Sequence, residues 1–234
     1  MRFRNNPIPG SHETWMRLSL VVEYLCSDST VARWGEWMGS RALLMLDFIN
    51  EIVHEDGKYG REGYAAQVRT RGVLENATAA LIRARESNIA VIHVVVAFSQ
   101  GYPEWPSNSP VFSSAREDDR LLLGSWGTRV HDSVASIPSE PVVVKHRISP
   151  FYATTLEVVL RSLAVDTLLL AGVATDMVVL AAARDGHDRG FHIEVLEDAT
   201  AADSEEIHEA ALRVIGRSAS LSTVSKALGR GRKE

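Results

Sequence analysis

Short apolar runs alternate with segments of helical periodicity from residue 41 onward. Runs rich in Val, Ile and Leu cover residues 42–46, 89–98, 142–144, 167–170 and 192–196. Continuous β-branched runs of this kind are typical of strands that are covered on both faces. The pattern therefore predicts a largely buried sheet.

Between these runs, apolar side chains recur at the spacing of one helix face. The clearest sets are Val73, Ala77, Ala80, Leu81 and Ala84, then Leu156, Val159, Leu160 and Leu163, then Ile207, Ala210, Ala211 and Val214. Ser204 followed by Glu205 and Glu206 predicts a helix start, because hydroxyl caps and acids favour that end. The alternation predicts a three-layer, Rossmann-like α/β fold, with a mainly parallel sheet of about six strands between helices.

The first forty residues do not share this alternation. We divide the chain into an N-terminal extension, residues 1–40, and one α/β domain, residues 41–234. The extension is either a packing arm or sequence read from a start codon upstream of Met38, and we assign it no function.

Composition narrows the classes of partner. Of 234 residues, 45% are hydrophobic and 24% charged, which is typical of a globular protein. A net charge of -5 indicates neither a nucleic-acid nor a membrane partner, and the basic residues 230–233 are interpreted as a solvated end. No apolar run reaches the roughly 18 residues of a membrane span. A lone cysteine, Cys26, gives no internal disulfide, and we expect a soluble, cytoplasmic protein without a signal peptide.

Charged side chains stand where two predicted strands end. In open parallel sheets the ligand lies beyond the carboxyl ends of the strands. Asp47 directly follows the first run, and Lys145 follows residues 142–144. Partial burial raises the pKa of such an acid and makes it a candidate proton carrier, and a neighbouring ammonium stabilises its charge. An Asp that caps a turn and a Lys that reaches solvent are the alternatives.

A glycine turn follows the run at residues 167–170. It continues from Gly172 into a helix, so it presents backbone N–H groups at the same crevice. A nucleophile is expected in this turn, but Met177 and Val178 stand there, and neither can attack a carbonyl.

Three blocks resemble the isochorismatase-like, or cysteine hydrolase, superfamily. They are residues 44–50, residues 144–154, and residues 172–175 continuing to 183–185. Their order and spacing match, and the resemblance covers about residues 41–218.

The resemblance implies roles for particular residues. Asp47 and Lys145 match the catalytic Asp and Lys, and the position of the nucleophilic cysteine falls on Val178. The bond between Val173 and Ala174 matches one that is often cis and helps to form an oxyanion hole. We do not expect Cys26 to substitute, because it lies far upstream of every block.

The resemblance also bears on metals, oligomers and the pocket. Nicotinamidases of this superfamily bind a metal through an Asp/His cluster, but residues 97–102 hold neither, and His54 and His93 lack a partner at ligand spacing. We therefore expect no metal and no cofactor. A homodimer or homotetramer is expected by resemblance alone. The predicted pocket residues are Phe48, Trp126, Phe151, Tyr152, Thr175 and Met177. Ordinary core packing is the alternative for the two Phe residues, and Trp126 falls in a loop-rich stretch, residues 99–138, that is typical of a lid.

Three hypotheses follow for the function. The first is hydrolysis of a small organic substrate without a cysteine, with Asp47 as general acid or base and Lys145 as its partner. Cleavage of a vinyl ether is one such reaction, because it requires a proton donor and water but no covalent intermediate. The second is an amidase that uses an activated water. The third is a non-catalytic member that binds a metabolite or a partner protein.

Overall fold

A parallel six-stranded sheet organises the chain. The computed structural model describes residues 41–229, so both the predicted N-terminal extension and the basic end lie outside the described residues. The strands are β1 (Arg41–Leu46), β2 (Ala90–Val96), β3 (Val142–Lys145), β4 (Thr167–Val173), β5 (His192–Ala201) and β6 (Ser220–Ser222). Their order is β3-β2-β1-β4-β5-β6, and every neighbouring pair is parallel.

Helices connect the strands and cover the sheet. They are α1 (Asn50–Val53), α2 (Tyr64–Thr70), α3 (Val73–Glu86), α4 (Leu156–Ser162), α5 (Leu180–Asp188), α6 (Glu205–Ile215) and α7 (Val224–Ala227). Short 3-10 turns lie at Gly60–Glu62, Pro110–Phe112 and Asp132–Val134, and one π-helical turn lies at Thr175–Val179. Within residues 41–229, none of the helices combines the length and apolar composition that a membrane span requires.

Alternate residues of the central strands enter opposite layers. Leu43 and Leu169 pack in one cluster with Ala77 and Leu81 of α3. On the other face, Leu168 approaches the position of Gly186 in α5. Because side chains of a strand point alternately to its two sides, continuous apolar strands place a hydrophobic layer on both faces. The predicted three-layer fold is confirmed.

The strand limits differ from the sequence pattern in two places. β4 and β5 run on to Val173 and Ala201, beyond the apolar runs that predicted them. The sixth strand, Ser220–Ser222, has no apolar run, because it pairs only with β5 at the edge of the sheet and is largely exposed. The predicted start of α6 is confirmed, since the Ser204 side chain accepts a hydrogen bond from the Ile207 N–H.

Candidate active site

Three strand ends meet at one edge of the sheet. β2 lies between β1 and β3, so the residues that follow β1 and β3 are separated by one strand. Asp47 bridges this gap: its Oδ1 accepts a hydrogen bond of 2.8 Å from the N–H of Val96, the last residue of β2. Lys145 is paired in register with Val96 from the other side. The end of β2 therefore brings the two charged side chains together.

Asp47 and Lys145 form a buried ion pair. The Nζ atom of Lys145 lies 2.8 Å from Oδ2 of Asp47, and both residues are almost fully buried. The same ammonium donates a 3.0 Å hydrogen bond to the carbonyl of Arg147. Asp47 has φ 54°, a left-handed conformation that Asp adopts more readily than most residues. The backbone therefore turns sharply at Asp47, directly after the end of β1.

Burial governs the protonation of Asp47. Loss of hydration raises the pKa of Asp47 above its ordinary value of 3.8. The Lys145 charge and the hydrogen bonds from Lys145 and the Val96 N–H oppose this rise without cancelling it. A carboxyl group in this setting can exchange a proton more readily near neutral pH than an exposed one.

The turn after β4 forms the third side of the site. The peptide bond between Val173 and Ala174 is cis, and the π-helical turn Thr175–Val179 follows it directly. Val178 is buried in this turn and lines a pocket together with Asp47 and Lys145. The side chain that the turn presents there is therefore an alkyl group.

The pocket between these elements is small and largely apolar. The space open to the centres of water-sized molecules is about 60 Å³. Of the predicted site residues, it is lined by Asp47, Lys145, Val173, Ala174, Met177 and Val178. The wall is completed by Ile52, Tyr59, Tyr64, Val96, Val111, Phe112, Leu121 and Ile148.

The two predicted Phe residues do not line this pocket. Phe48 is buried in the hydrophobic cluster under α3, because the chain turns at Asp47 and sends the next side chain to the other side. The ring of Phe151 stacks on the ring of Phe191, with 6.1 Å between the two centroids. The guanidinium carbon of Arg189 lies 5.1 Å from the centroid of the Phe151 ring. Both Phe48 and Phe151 therefore pack in the core, which was the alternative to a place in the pocket.

Trp126 and Tyr152 also lie away from the pocket. Trp126 is 44% exposed, and its ring meets the ring of His54 edge-on at 5.1 Å. Tyr152 is 60% exposed beneath the Arg147 guanidinium, 5.9 Å from the ring centroid. Both residues lie in loops. The sequence of a loop does not predict the direction in which its side chains point, because a loop has no regular periodicity.

Thr175 does not line the pocket, and its side chain contacts α6 instead. It is fully buried, and its Oγ1 lies 2.8 Å from Nδ1 of His208 in α6. Burial lowers the pKa of His208 to about 4, so the imidazole is neutral at neutral pH. This contact joins α6 to the turn that carries Val178.

Several wall residues carry no signal in the sequence. Tyr59 and Tyr64 flank a short 3-10 turn between α1 and α2, and Val111, Phe112 and Leu121 belong to the loop-rich stretch. The sequence predicts that this stretch covers a site, but it points to Trp126 and not to these three residues. Only the long-range packing of the loops selects which of their side chains reach the pocket.

Neither histidine considered as a metal ligand stands in a metal cluster. The ring of His93 is buried with Nε2 3.1 Å from Glu140, and Nδ1 of His54 accepts a hydrogen bond from the Asp56 N–H. Across residues 41–229, no group of three or more His, Cys, Asp or Glu side chains is arranged to hold a metal ion.

Comparisons with known proteins agree with this architecture. The family model for the Isochorismatase domain matches residues 41–226. Among curated proteins, the chain is 31% identical over 183 residues to the ureidoacrylate amidohydrolase RutB of Methylobacterium radiotolerans, covering 73% of this chain and 70% of the relative. A second ureidoacrylate amidohydrolase RutB, from Yersinia enterocolitica, is 28% identical over 68% of this chain and 74% of its own length.

Solved structures share the fold. A cysteine hydrolase from Pseudomonas syringae pv. phaseolicola superimposes with a TM-score of 0.72 at 20% identity, covering 82% of this chain and 92% of that one. The N-carbamoylsarcosine amidase of Thermoplasma acidophilum superimposes with a TM-score of 0.61 at 27% identity, covering 79% and 96%.

Proposed function

The chain belongs to the isochorismatase family, and we propose that it hydrolyses a C–N bond of a small organic substrate with water in place of a thiol nucleophile. Asp47 would move the proton and Lys145 would balance its charge. The relatives named as amidohydrolases and amidase support the C–N class.

One observation carries this proposal. A carboxyl group and an ammonium group 2.8 Å apart line a pocket in which Val178 stands on the neighbouring turn. The resemblance assigns the family's cysteine to that position, and Cys26, the one cysteine of the chain, lies outside the described residues. This arrangement supports acid–base chemistry at the pocket without a nucleophile from the turn that carries Val178.

The reaction on an amide would balance through one carboxyl group. Asp47 accepts a proton from water as the water oxygen bonds to the carbonyl carbon. The oxyanion formed is stabilised by Lys145 and by backbone N–H groups at the start of the turn. The C–N bond then breaks, Asp47 returns the proton to the departing nitrogen, and a carboxylic acid and ammonia leave.

A second candidate is cleavage of an enol ether. It is favoured by the burial of Asp47, because a raised pKa keeps more of this carboxyl group protonated and able to act as an acid. Asp47 would protonate the enol carbon, water would add to the resulting oxocarbenium ion, and the hemiketal would collapse to a ketone and an alcohol. This route also requires no nucleophilic side chain.

The test is turnover on two substrate panels by the wild type and by Asp47→Asn. Release of ammonia from small amides supports the proposal, and release of a ketone from small enol ethers, without ammonia, supports the second candidate. In either case Asp47→Asn should lose at least about 100-fold in kcat, while Glu86→Gln, an exposed carboxylate on α3, should not change it.

Two results would contradict this assignment. An Asp47→Asn protein with the wild-type rate would remove the proposed proton carrier. Ligands that raise the melting temperature of the wild type without any product would instead support the non-catalytic hypothesis.

A further inference from the structure

We infer that the pocket takes a small uncharged molecule and rejects carboxylates. The reaction part of this inference rests on the proposed function, but the binding preference does not. The charge of the ligand follows from the charged residues in the pocket wall, from their contacts and from the volume of the pocket.

Among the described residues, Lys145 is the one cation that lines the pocket, and it is already paired. Lys145 is paired with Asp47 at 2.8 Å and donates to the Arg147 carbonyl at 3.0 Å. While Asp47 is ionised, it compensates the charge of Lys145 before a ligand binds. The other charged member of the wall is Asp47 itself, so the wall of the pocket carries no net charge when both groups are ionised.

Arg120, a cation beside the wall residue Tyr59, is also paired with acids. Arg120 lies over the ring of Tyr59, with its guanidinium carbon 4.7 Å from the centroid. It forms ion pairs with Asp118, at 3.0 Å, and with Glu62. A carboxylate ligand would have to compete with two side-chain carboxylates that are already in place.

Two acids, Asp176 and Asp203, add negative charge beside Tyr64, whereas the third acid, Glu62, is paired with Arg120. Burial raises the pKa of Tyr64 strongly, and the charges of Asp176, Asp203 and Glu62 raise it further. The Oδ1 atom of Asp176 is buried with no hydrogen-bond partner among the described residues. The potential that disfavours a phenolate at Tyr64 also disfavours an anionic ligand beside it.

Size limits the ligand further. A cavity that holds one water needs roughly 10–15 Å³ of such space, so the pocket, with about 60 Å³, admits only a small molecule. Besides Asp47 and Lys145, the side-chain hydroxyl groups in the wall are those of Tyr59, which donates to the Val111 carbonyl, and Tyr64. The other wall side chains are apolar, such as Ile52 and Leu121, and offer a ligand no hydrogen bonds. A single uncharged amide or ether group with a short alkyl substituent suits these walls.

Shape-matched pairs of compounds test the charge preference. Isovaleramide carries an isopropyl group where malonamate carries a carboxylate. The same exchange separates two ketones that cannot be hydrolysed, 4-methyl-2-pentanone with the isopropyl group and acetoacetate with the carboxylate. Calorimetric titration of the wild type with the two ketones measures binding without turnover. We expect the neutral ketone to bind at least about tenfold more tightly and isovaleramide to have the higher kcat/KM by a similar factor.

A charge variant makes the cause testable. Asp176→Asn removes one of the negative charges beside Tyr64 and keeps the shape of the side chain. It should tighten acetoacetate binding by about threefold or more and leave the neutral ketone unchanged. Glu86→Gln, which removes a charge far from the pocket on α3, should change neither.

The outcomes separate this inference from the proposed reaction. Equal or tighter binding of acetoacetate, or no binding of either ketone, would overturn the charge preference. Hydrolysis of malonamate at the rate of isovaleramide or above would overturn it as well, while supporting hydrolysis. Selective binding of the neutral ketone by a protein that hydrolyses no amide or enol ether would support the preference and contradict the reaction.

Discussion

Nζ of Lys145 lies 2.8 Å from Oδ2 of Asp47 although the two residues are 98 positions apart and end strands that are not neighbours in the sheet. The strand between them contributes the Val96 N–H to the same carboxylate. Each buried charge in this pair is compensated by the other, and removal of either one leaves an uncompensated charge in an apolar site.

The pair should be strongly coupled in stability. Lys145→Met should lower the free energy of unfolding by about 3–5 kcal/mol, because Asp47 is then buried without its partner. The double variant Asp47→Asn/Lys145→Met should lose less than the sum of the two single variants. Urea unfolding of the four proteins measures the coupling, and additive losses would contradict the energetic link.

A thiol at position 178 should change the chemistry. Val178→Cys places sulfur in the pocket lined by Asp47 and Lys145, and we expect ammonia release from small amides to rise by at least about tenfold. Iodoacetamide should inactivate this variant and leave the wild type active. Both proteins should be prepared with Cys26→Ser, so that any labelling reports on position 178. A labelled variant with no gain in rate would argue against this position as the site of attack.

The contact between Thr175 and His208 should affect both stability and rate. Thr175→Val removes the 2.8 Å hydrogen bond and leaves Nδ1 of a buried imidazole unpaired, which costs about 1–3 kcal/mol. Because the contact supports the turn that carries Val178, kcat should fall while KM changes little. Thr175→Ser keeps the hydroxyl and should restore kcat. If Thr175→Val lowers the melting temperature but not kcat, the contact is structural only.

Glu140 should contribute to resistance against acid. Burial by itself raises the pKa of Glu140, but hydrogen bonds from His93, Arg85 and the Ile137 N–H outweigh it and lower the pKa to about 2. A carboxyl group whose pKa is lowered in the folded protein stabilises the fold fully when the pH is above 4.5, its pKa in the unfolded chain. This contribution is lost as the pH falls towards 2, its pKa in the folded protein.

The expected contribution of Glu140 is on the order of 3 kcal/mol. Glu140→Gln should therefore be less stable at neutral pH and should show a shallower loss of stability between about pH 4.5 and 2. Urea unfolding across this range, with Glu86→Gln as the exposed control, measures the difference. Parallel pH profiles for Glu140→Gln and the wild type would show that this group is not responsible.

Gly172 should tolerate no side chain. A Cβ atom there would lie 2.6 Å from both Cβ and the carbonyl oxygen of Leu46, because β1 and β4 pair in register at this point. Gly172→Ala should lower the melting temperature by several degrees, since overpacking costs about 1–3 kcal/mol. Gly216→Ala is the matched control, because its Cβ would meet atoms no closer than 3.4 Å. Equal melting temperatures for the two variants would contradict this close approach.

The sequence alone predicts the three layers of the fold, and it places Asp47 and Lys145 at the ends of two strands. Hydrophobic runs mark central strands because burial on both faces forces them to be apolar, and the ends of parallel strands must meet at one edge. This is why Asp47 and Lys145 can be named together and why the turn with Met177 and Val178 is expected beside them, whereas the roles of Val173 and Ala174 come from the family resemblance. The short polar strand β6 could not be found this way, because an edge strand carries little buried surface.

The pocket wall was decided by the tertiary structure. Phe48 and Tyr152 belong to the motif blocks but do not line the pocket, whereas Tyr64, at the start of α2, and Val111 and Leu121, in the loop-rich stretch, line it without belonging to any motif. Periodicity specifies which side of a strand or helix is apolar, but it does not specify where an irregular segment crosses the sheet edge. That path depends on long-range contacts, such as the backbone bridge between Phe98 and Leu122, which exist only once the chain has folded.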